Sequence, residues 1–239
     1  MIVNILHRLY SLFRFKPNPN EGPDLQFIAR QLRKPAGDFA PEIAVKMDIA
    51  NKPLYELTLD TMQVANGDTI LEIGFGSGKF FEKLFTAANN LMVYGIDYSA
   101  EMVELAKRHN PEPVSSGRLQ LVTGSSDKLP YPDQSFDKVF CNMVIFFWDQ
   151  PENHLKEIYR VLKPGGKFYA GFRTKESMLR FPFTRFGFVL YDPDQWKSIL
   201  TENGFFVDEI RRNSDPGIEL DGKKIHLESV CMASGKLKI

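Results

Sequence analysis

The chain has 239 residues, 43% hydrophobic and 25% charged, with Lys+Arg and Asp+Glu both totalling 30 and a formal net charge of zero. This is an ordinary globular composition, long enough to bury its own core, and the missing basic excess argues against a protein that lives on phosphate backbones. Cys141 and Cys231 form no metal-ligand or disulfide-framework spacing, which fits a reducing compartment, most simply the cytoplasm.

The chain opens with MIVNILHRLYSLFRF, where Asn4, His7, Arg8, Ser11 and Arg14 recur every three or four residues and make one polar stripe on a helix. The apolar run is too short to span a bilayer, and a signal peptide would lack the internal charges. We read it as a helix packed on the domain or on a partner chain. The sharper alternative is an interfacial helix that gives peripheral membrane contact through residues 1–15. KPNPNEGP then breaks the pattern, and residues 24–60 look mostly helical, interrupted by RKPAGDFAP. Residues 1–50 are accordingly expected to form an N-terminal helical extension, and 51–239 the main domain. Pro53 is expected in the first turn of a helix over 51–64.

From residue 69 the pattern alternates. Strands are expected at 69–73, 91–96, 119–123, 137–143, 166–172, 205–211 and 227–233, and helices at 78–88, 100–109, 151–162 and 194–203. Strand and helix alternate through the first five strands, which predicts an α/β fold: a Rossmann-like, seven-stranded, mostly parallel sheet with helices on both faces. The last two strands are joined only by NSDPGIELDGKK, so an antiparallel C-terminal edge is expected. LKPGG at 162–166 reads as a helix stop followed by a turn.

The first strand runs into a glycine turn, ILEIGFGSGKFFEKL. Gly74, Gly76 and Gly78 permit a tight turn and close approach of a ligand to the backbone. A dinucleotide fingerprint would place its third glycine at 79, where Lys79 stands. Glu72 stands two residues before Gly74, where a carboxylate repels a pyrophosphate and suits a cation. Asp97 ends the second strand 19 residues beyond Gly78, placed to accept from ribose hydroxyls. Together these features favour S-adenosylmethionine, which carries an ammonium and a sulfonium and no phosphate, over a nicotinamide dinucleotide.

With those residues in view, the chain resembles the class I S-adenosylmethionine-dependent methyltransferases, and among them the small-molecule branch that includes quinone-biosynthesis enzymes. LEIGFGSG, GIDYSAEMVELAKR, LPYPDQSFDKVFCNMVIFFW and EIYRVLKPGGKF resemble its successive motifs over about residues 45–175. The resemblance implies that Gly74, Phe75 and Gly76 line the methionine part of the cofactor with Glu72 nearby. Gly78 completes the loop, Asp97 holds the ribose, Tyr98 packs on adenine, and Met102 closes the adenine side. Ser125 stands where the family often has an acid, with Ser126 after it, and Asn142 would sit beside the methionine moiety and the acceptor.

For the acceptor, the aromatic stretches after the fourth and fifth strands suggest a lid, with an insertion at about 173–192. Phe147, Trp148, Arg180, Phe183 and Tyr191 are the candidates there, and Asn51 and Tyr55 could form the opposite wall. They suggest a small hydrophobic or aromatic acceptor, steered by Arg180 or Arg185 if it is an anion. The same aromatics could instead fill a second small core. No residue is assigned as general base: His7, His109, His154 and His226 read as surface or structural histidines. No metal is expected. The competing class is a non-catalytic S-adenosylmethionine-binding or membrane-associated accessory protein. The fourth strand's CNMVIFFW also lacks the tetrad that amino-methylating nucleic-acid enzymes typically show.

Overall fold

The computed structural model describes residues 24–215, 218–220 and 223–236. The amphipathic stripe at residues 1–15 lies outside the described residues. The first described helix is α1 (Leu25–Arg33), capped by the Asp24 carboxylate, which accepts from the Phe27 N–H at 2.8 Å. A 3₁₀ turn at Gly37–Phe39 leads into α2 (Ala40–Met62), a single helix of 23 residues.

α2 corrects the expected boundary between residues 50 and 51, because the helix runs straight across it. Pro53 lies inside the helix rather than at its start. Proline there removes one backbone donor. Leu54, Tyr55, Thr58 and Met62, all buried, secure the turns that follow.

The sheet is built from β1 (Thr69–Ile73), β2 (Met92–Asp97), β3 (Leu119–Thr123), β4 (Phe136–Asn142), β5 (Leu162–Arg173), β6 (Phe205–Ser214) and β9 (Glu228–Lys236). Their order is β3-β2-β1-β4-β5-β9-β6, with β1 to β5 parallel and β9 antiparallel to both its neighbours. The direction of winding reverses between β1 and β4, the place where ligand crevices open in such sheets. The register lines up the carboxyl ends: Asp97 pairs with Thr123, and Asn142 with Gly171.

The connecting helices are α3 (Phe81–Ala87), α4 (Ala100–His109), the short α5 (Pro111–Ser115), α6 (Pro151–Val161), α7 (Lys175–Met178) and α8 (Pro193–Glu202). Two features depart from expectation. LKPGG belongs to β5, which starts at Leu162 with a register shift against β4 and Gly165 at φ +77°. NSDPGIELDGKK contains a two-stranded hairpin of its own, β7 (Ile218–Leu220) and β8 (Lys223–Ile225).

Two large apolar clusters pack the sheet. One gathers Trp148, Phe168, Trp196 and Leu200; the other gathers Tyr55, Met62, Phe81 and Leu84. A third, small cluster joins Ile28 and Ala29 of α1 to Phe183, with Phe181, Phe186 and Phe188 against it. Among the described residues no helix is long and apolar enough to cross a membrane.

Candidate active site at the carboxyl ends of the strands

A cavity of about 670 Å³ opens where β1, β2, β3 and β4 end, within the range of small-molecule sites. The glycine turn forms one wall. Gly74 and Gly76 have φ of +71° and +58°. A Cβ on Gly74 would lie 2.4 Å from a Val144 methyl, whereas a Cβ on Gly76 would meet nothing within 4 Å. The backbone at Gly76 is therefore open to a ligand. Phe75 turns its ring inward against Phe81 at 5.5 Å, directly over Gly95 of β2, where a Cβ would clash at 2.6 Å. The turn is held from outside as well. Ser77 Oγ lies 2.8 Å from both carboxylate oxygens of Asp48 on α2, and its carbonyl lies 2.9 Å from His109 Nδ1.

Two buried carboxylates face this turn. The Asp97 oxygens accept from the backbone N–H groups of Gly76 and Ser99, each at 2.9 Å. Burial still pushes its carboxyl up to about 6, against those hydrogen bonds. Glu72 accepts from Tyr55 Oη at 3.2 Å. Burial pushes its carboxyl up to about 8, the Tyr55 hydrogen bond opposing and the nearby Asp97 reinforcing the rise. Across the turn, Asn142 Oδ1 accepts from Thr58 Oγ1 at 2.7 Å, while its buried Nδ2 has no partner. A buried amide donor without an acceptor is costly, and this one belongs to the cavity wall.

Residues 71–170 match the family described as a methyltransferase domain. The chain is 32% identical over 131 residues to the uncharacterized methyltransferase YdaC of Bacillus subtilis, covering 55% of this chain and 70% of that protein. The chain belongs to the class I S-adenosylmethionine-dependent methyltransferases. It is also 34% identical over 144 residues to a demethylmenaquinone methyltransferase of Symbiobacterium thermophilum, covering 59% of this chain but only 54% of that enzyme. In fold it resembles a SAM-dependent methyltransferase from Aquifex aeolicus, with a TM-score of 0.63 and 22% identity over 81% of this chain and 97% of the other.

The cavity suits the methyltransferase cofactor on its own chemistry. It offers an open glycine backbone, carboxylates for a cationic, hydroxyl-bearing ligand, and an unpartnered amide donor. Of the residues expected at the cofactor, Glu72, Gly74, Phe75, Gly76, Asp97, Tyr98, Met102, Ser125, Ser126 and Asn142 all line it. Tyr98 is 53% exposed and carries Lys34 Nζ 4.6 Å from its ring centre. Gly78 does not line the cavity. Its missing Cβ makes room for Ala106 of α4, which would otherwise stand 2.5 Å away, so its role is packing.

Of the acceptor candidates, Asn51, Tyr55, Phe147 and Trp148 line the cavity, and Arg180, Phe183 and Tyr191 do not. Phe183 is spent on the small cluster with α1, and Tyr191 packs on Trp196 at 5.2 Å. Arg180 reaches Glu176 at the surface, and Arg185 donates to the Pro182 carbonyl. The aromatic insertion thus buries its own apolar surface instead of lining the site.

Other lining residues gave no local signal: Leu32 and Arg33 at the end of α1, Met47 and Asp48 on α2, and Phe80 stacked on Tyr55 at 4.4 Å. His154, which read as structural, also lines the cavity. Among the described residues no cluster of three or more His, Cys, Asp or Glu side chains is placed to hold a metal.

Proposed function

We propose that this protein transfers the methyl group of S-adenosylmethionine to a small, hydrophobic or aromatic acceptor that carries no negative charge. The observation behind the reading is the pair of buried carboxylates, Glu72 and Asp97, at the ends of adjacent strands around a glycine turn that is open at Gly76. When bound, the cofactor supplies a methyl group on a sulfonium, already activated for in-line displacement. The chain then has to hold, orient and dry the reactants.

In this reading Asp97 accepts from the ribose hydroxyls, and Gly74, Phe75 and Gly76 offer their backbone to the methionine part. Glu72 supplies negative charge for a cationic ligand, and Asn142 Nδ2 finds its missing acceptor on the ligand. Tyr98 and Met102 flank the base, with Ser125 and Ser126 at its edge. Asn51, Tyr55, Phe147 and Trp148 receive the acceptor.

Charge sets the acceptor class. Apart from Glu72, which keeps its proton until a cation arrives, Asp48, Asp97, Asp127 and Asp149 line the cavity against one guanidinium, Arg33, which is itself 3.1 Å from Asp149. An anionic acceptor would enter against that field. No side chain is assigned as general base. Tyr55 already donates to Glu72, and its burial beside that carboxyl raises its phenol well above the ordinary range, so it keeps its proton.

The test is titration calorimetry with S-adenosylmethionine, S-adenosylhomocysteine and NADH, followed by methyl-transfer assays on uncharged phenols, quinols and thiols. Micromolar binding of the two sulfur nucleosides, no NADH binding and transfer to at least one neutral acceptor are expected. Binding of NADH alone would overturn the reading. Cofactor binding without transfer to any acceptor would favour the accessory-protein alternative.

A further inference from the structure

Asn51 stands on the face of α2 that meets the cavity, with Met47 and Asp48 one turn before it and Tyr55 one turn after. Its side chain is gripped from behind. Arg173, at the end of β5, is buried and does not line the cavity. Its Nη1 donates to Asn51 Oδ1 at 3.2 Å and its Nη2 to the Ala50 carbonyl, while Nε and Nη2 hold Asp215 Oδ2 at 3.0 Å and 2.9 Å. The grip falls where α2 needs it. Pro53 has no N–H to offer the carbonyl four residues back, that of Ile49, so the helix ladder is interrupted at this turn. The guanidinium thus fixes the backbone at residue 50 and the side chain at residue 51.

A guanidinium has donors only, so the Asn51 atom that faces it is the oxygen, and the orientation of the amide follows from the chemistry of its partner. With Oδ1 turned to a residue behind the wall, Nδ2 is the polar atom left at the cavity. It has no hydrogen-bond partner among the described residues. Unlike Asn142 Nδ2 it is not sealed away, and it keeps surface that a small molecule can reach. Its neighbours on this wall are already engaged: the Tyr55 hydroxyl donates to Glu72, and the Asp48 carboxylate accepts from Ser77.

We infer that Asn51, oriented by Arg173, is a specificity-determining residue that donates a hydrogen bond from Nδ2 to an uncharged oxygen of the methyl acceptor, as in a phenol, a quinol or a carbonyl compound. The inference rests on the proposed transferase reading and deepens it. An uncharged donor on the wall calls for a lone pair, and the carboxylates around the cavity turn anions away. An acceptor with no such oxygen would shut water out and leave the amide unpaired.

The experiment measures methyl transfer from S-adenosylmethionine to hydroquinone, to further uncharged phenols and to benzyl mercaptan, at pH 7.5, by the full chain and by Asn51→Asp. The aspartate keeps the shape of the side chain and an oxygen on Arg173, and turns a second oxygen instead of a donor to the cavity. The KM for hydroquinone or for the phenol best used is expected to rise about tenfold or more, with kcat, S-adenosylhomocysteine affinity and melting temperature little changed. If Asn51 served only to pair with Arg173, aspartate would replace it without loss, so an unchanged KM would overturn the inference. If Asn51→Asp does not fold, Asn51→Leu asks the same question: the KM should again rise, and an unchanged KM counts against the assignment. Transfer by the native protein to benzyl mercaptan and to none of the oxygen compounds overturns the inference and leaves the transferase reading standing. Binding of S-adenosylhomocysteine with no transfer to any of them removes the transferase reading, and this inference with it.

Discussion

At the scale of single residues, the site is built by making polar groups uncomfortable until a ligand arrives. Glu72 holds a proton up to about pH 8, whereas an unfolded glutamate loses it near 4.3. Its contribution to stability is therefore fully present below about pH 4.3 and is gone once the pH passes about 8. A cationic ligand favours the ionised form, so binding at pH 7 should release protons. Calorimetry in phosphate and in Tris is expected to give different apparent enthalpies, and Glu72→Gln to remove the difference. Enthalpies that do not depend on the buffer would show that Glu72 is not linked to binding. Asp97→Ala should weaken S-adenosylmethionine at least tenfold, about 1.4 kcal/mol; unchanged affinity would take Asp97 out of the site. Gly171 tests packing beneath the cavity. A Cβ there would lie 1.9 Å from Asn142 Oδ1 and 2.7 Å from Thr58 Oγ1. Gly171→Ala should cost about 1–3 kcal/mol by overpacking, read as a lower denaturation midpoint, and should disturb cofactor affinity as well because Asn142 must move.

At the scale of elements, α2 lines the cavity with Met47, Asp48, Asn51 and Tyr55 and is the part that the local pattern described least well. Its middle is bolted to the end of β5 by Arg173, whose guanidinium meets Asp215 Oδ2 at 2.9 Å and 3.0 Å, Asn51 Oδ1 at 3.2 Å and the Ala50 carbonyl. Both charged side chains of this pair are almost fully buried. Arg173→Met would strand the Asp215 carboxylate without a counter-ion and should destabilise the fold by about 3–5 kcal/mol. Adding Asp215→Leu to Arg173→Met is expected to recover part of the loss in thermal melts. If Arg173→Met were neutral, the pair would not be fastening α2. α1 lines the cavity with Leu32 and Arg33 and rests on the aromatic insertion. Its exposed Arg33–Asp149 bridge adds little by itself. Hydrogen exchange in α1 is expected to slow when cofactor binds, and unchanged exchange would mean that it does not close over the ligand.

For the whole molecule, the parallel half of the sheet and its ligand edge were legible because their signals are local. Glu72, Gly74, Gly76 and Asp97 stand at strand ends that alternation alone locates, and all four line the cavity. Asp48 and Leu32 were not legible. They arrive from helices upstream, 29 residues before Ser77 in the case of Asp48; Leu25, Ile28, Ala29 and Leu32 give α1 an apolar face but do not say what it meets, and no pattern in α2 marks the face that turns toward the sheet. Phe183 and Tyr191 misled for a different reason: an aromatic cluster that covers a ligand and one that closes a small core have the same composition. Gly78 misled because a glycine needed for packing against Ala106 reads the same as one that cradles a ligand. Every described cavity residue lies at or after Leu32. Deleting residues 1–15 should therefore leave cofactor affinity intact, and a folded truncation that no longer binds would place that segment in the site.

The position of β9 has a consequence for how the sheet assembles. β9 is the only described strand paired with β6, yet β6 precedes it in the chain. Until β9 is in place, β6 carries unpaired backbone on both sides, next to a β5 edge that is also open. Such edges recruit strands from other molecules. Refolding at high concentration should therefore lose material during the interval before β9 inserts, and excess free peptide spanning Glu228–Lys236 should compete for the β5–β6 gap.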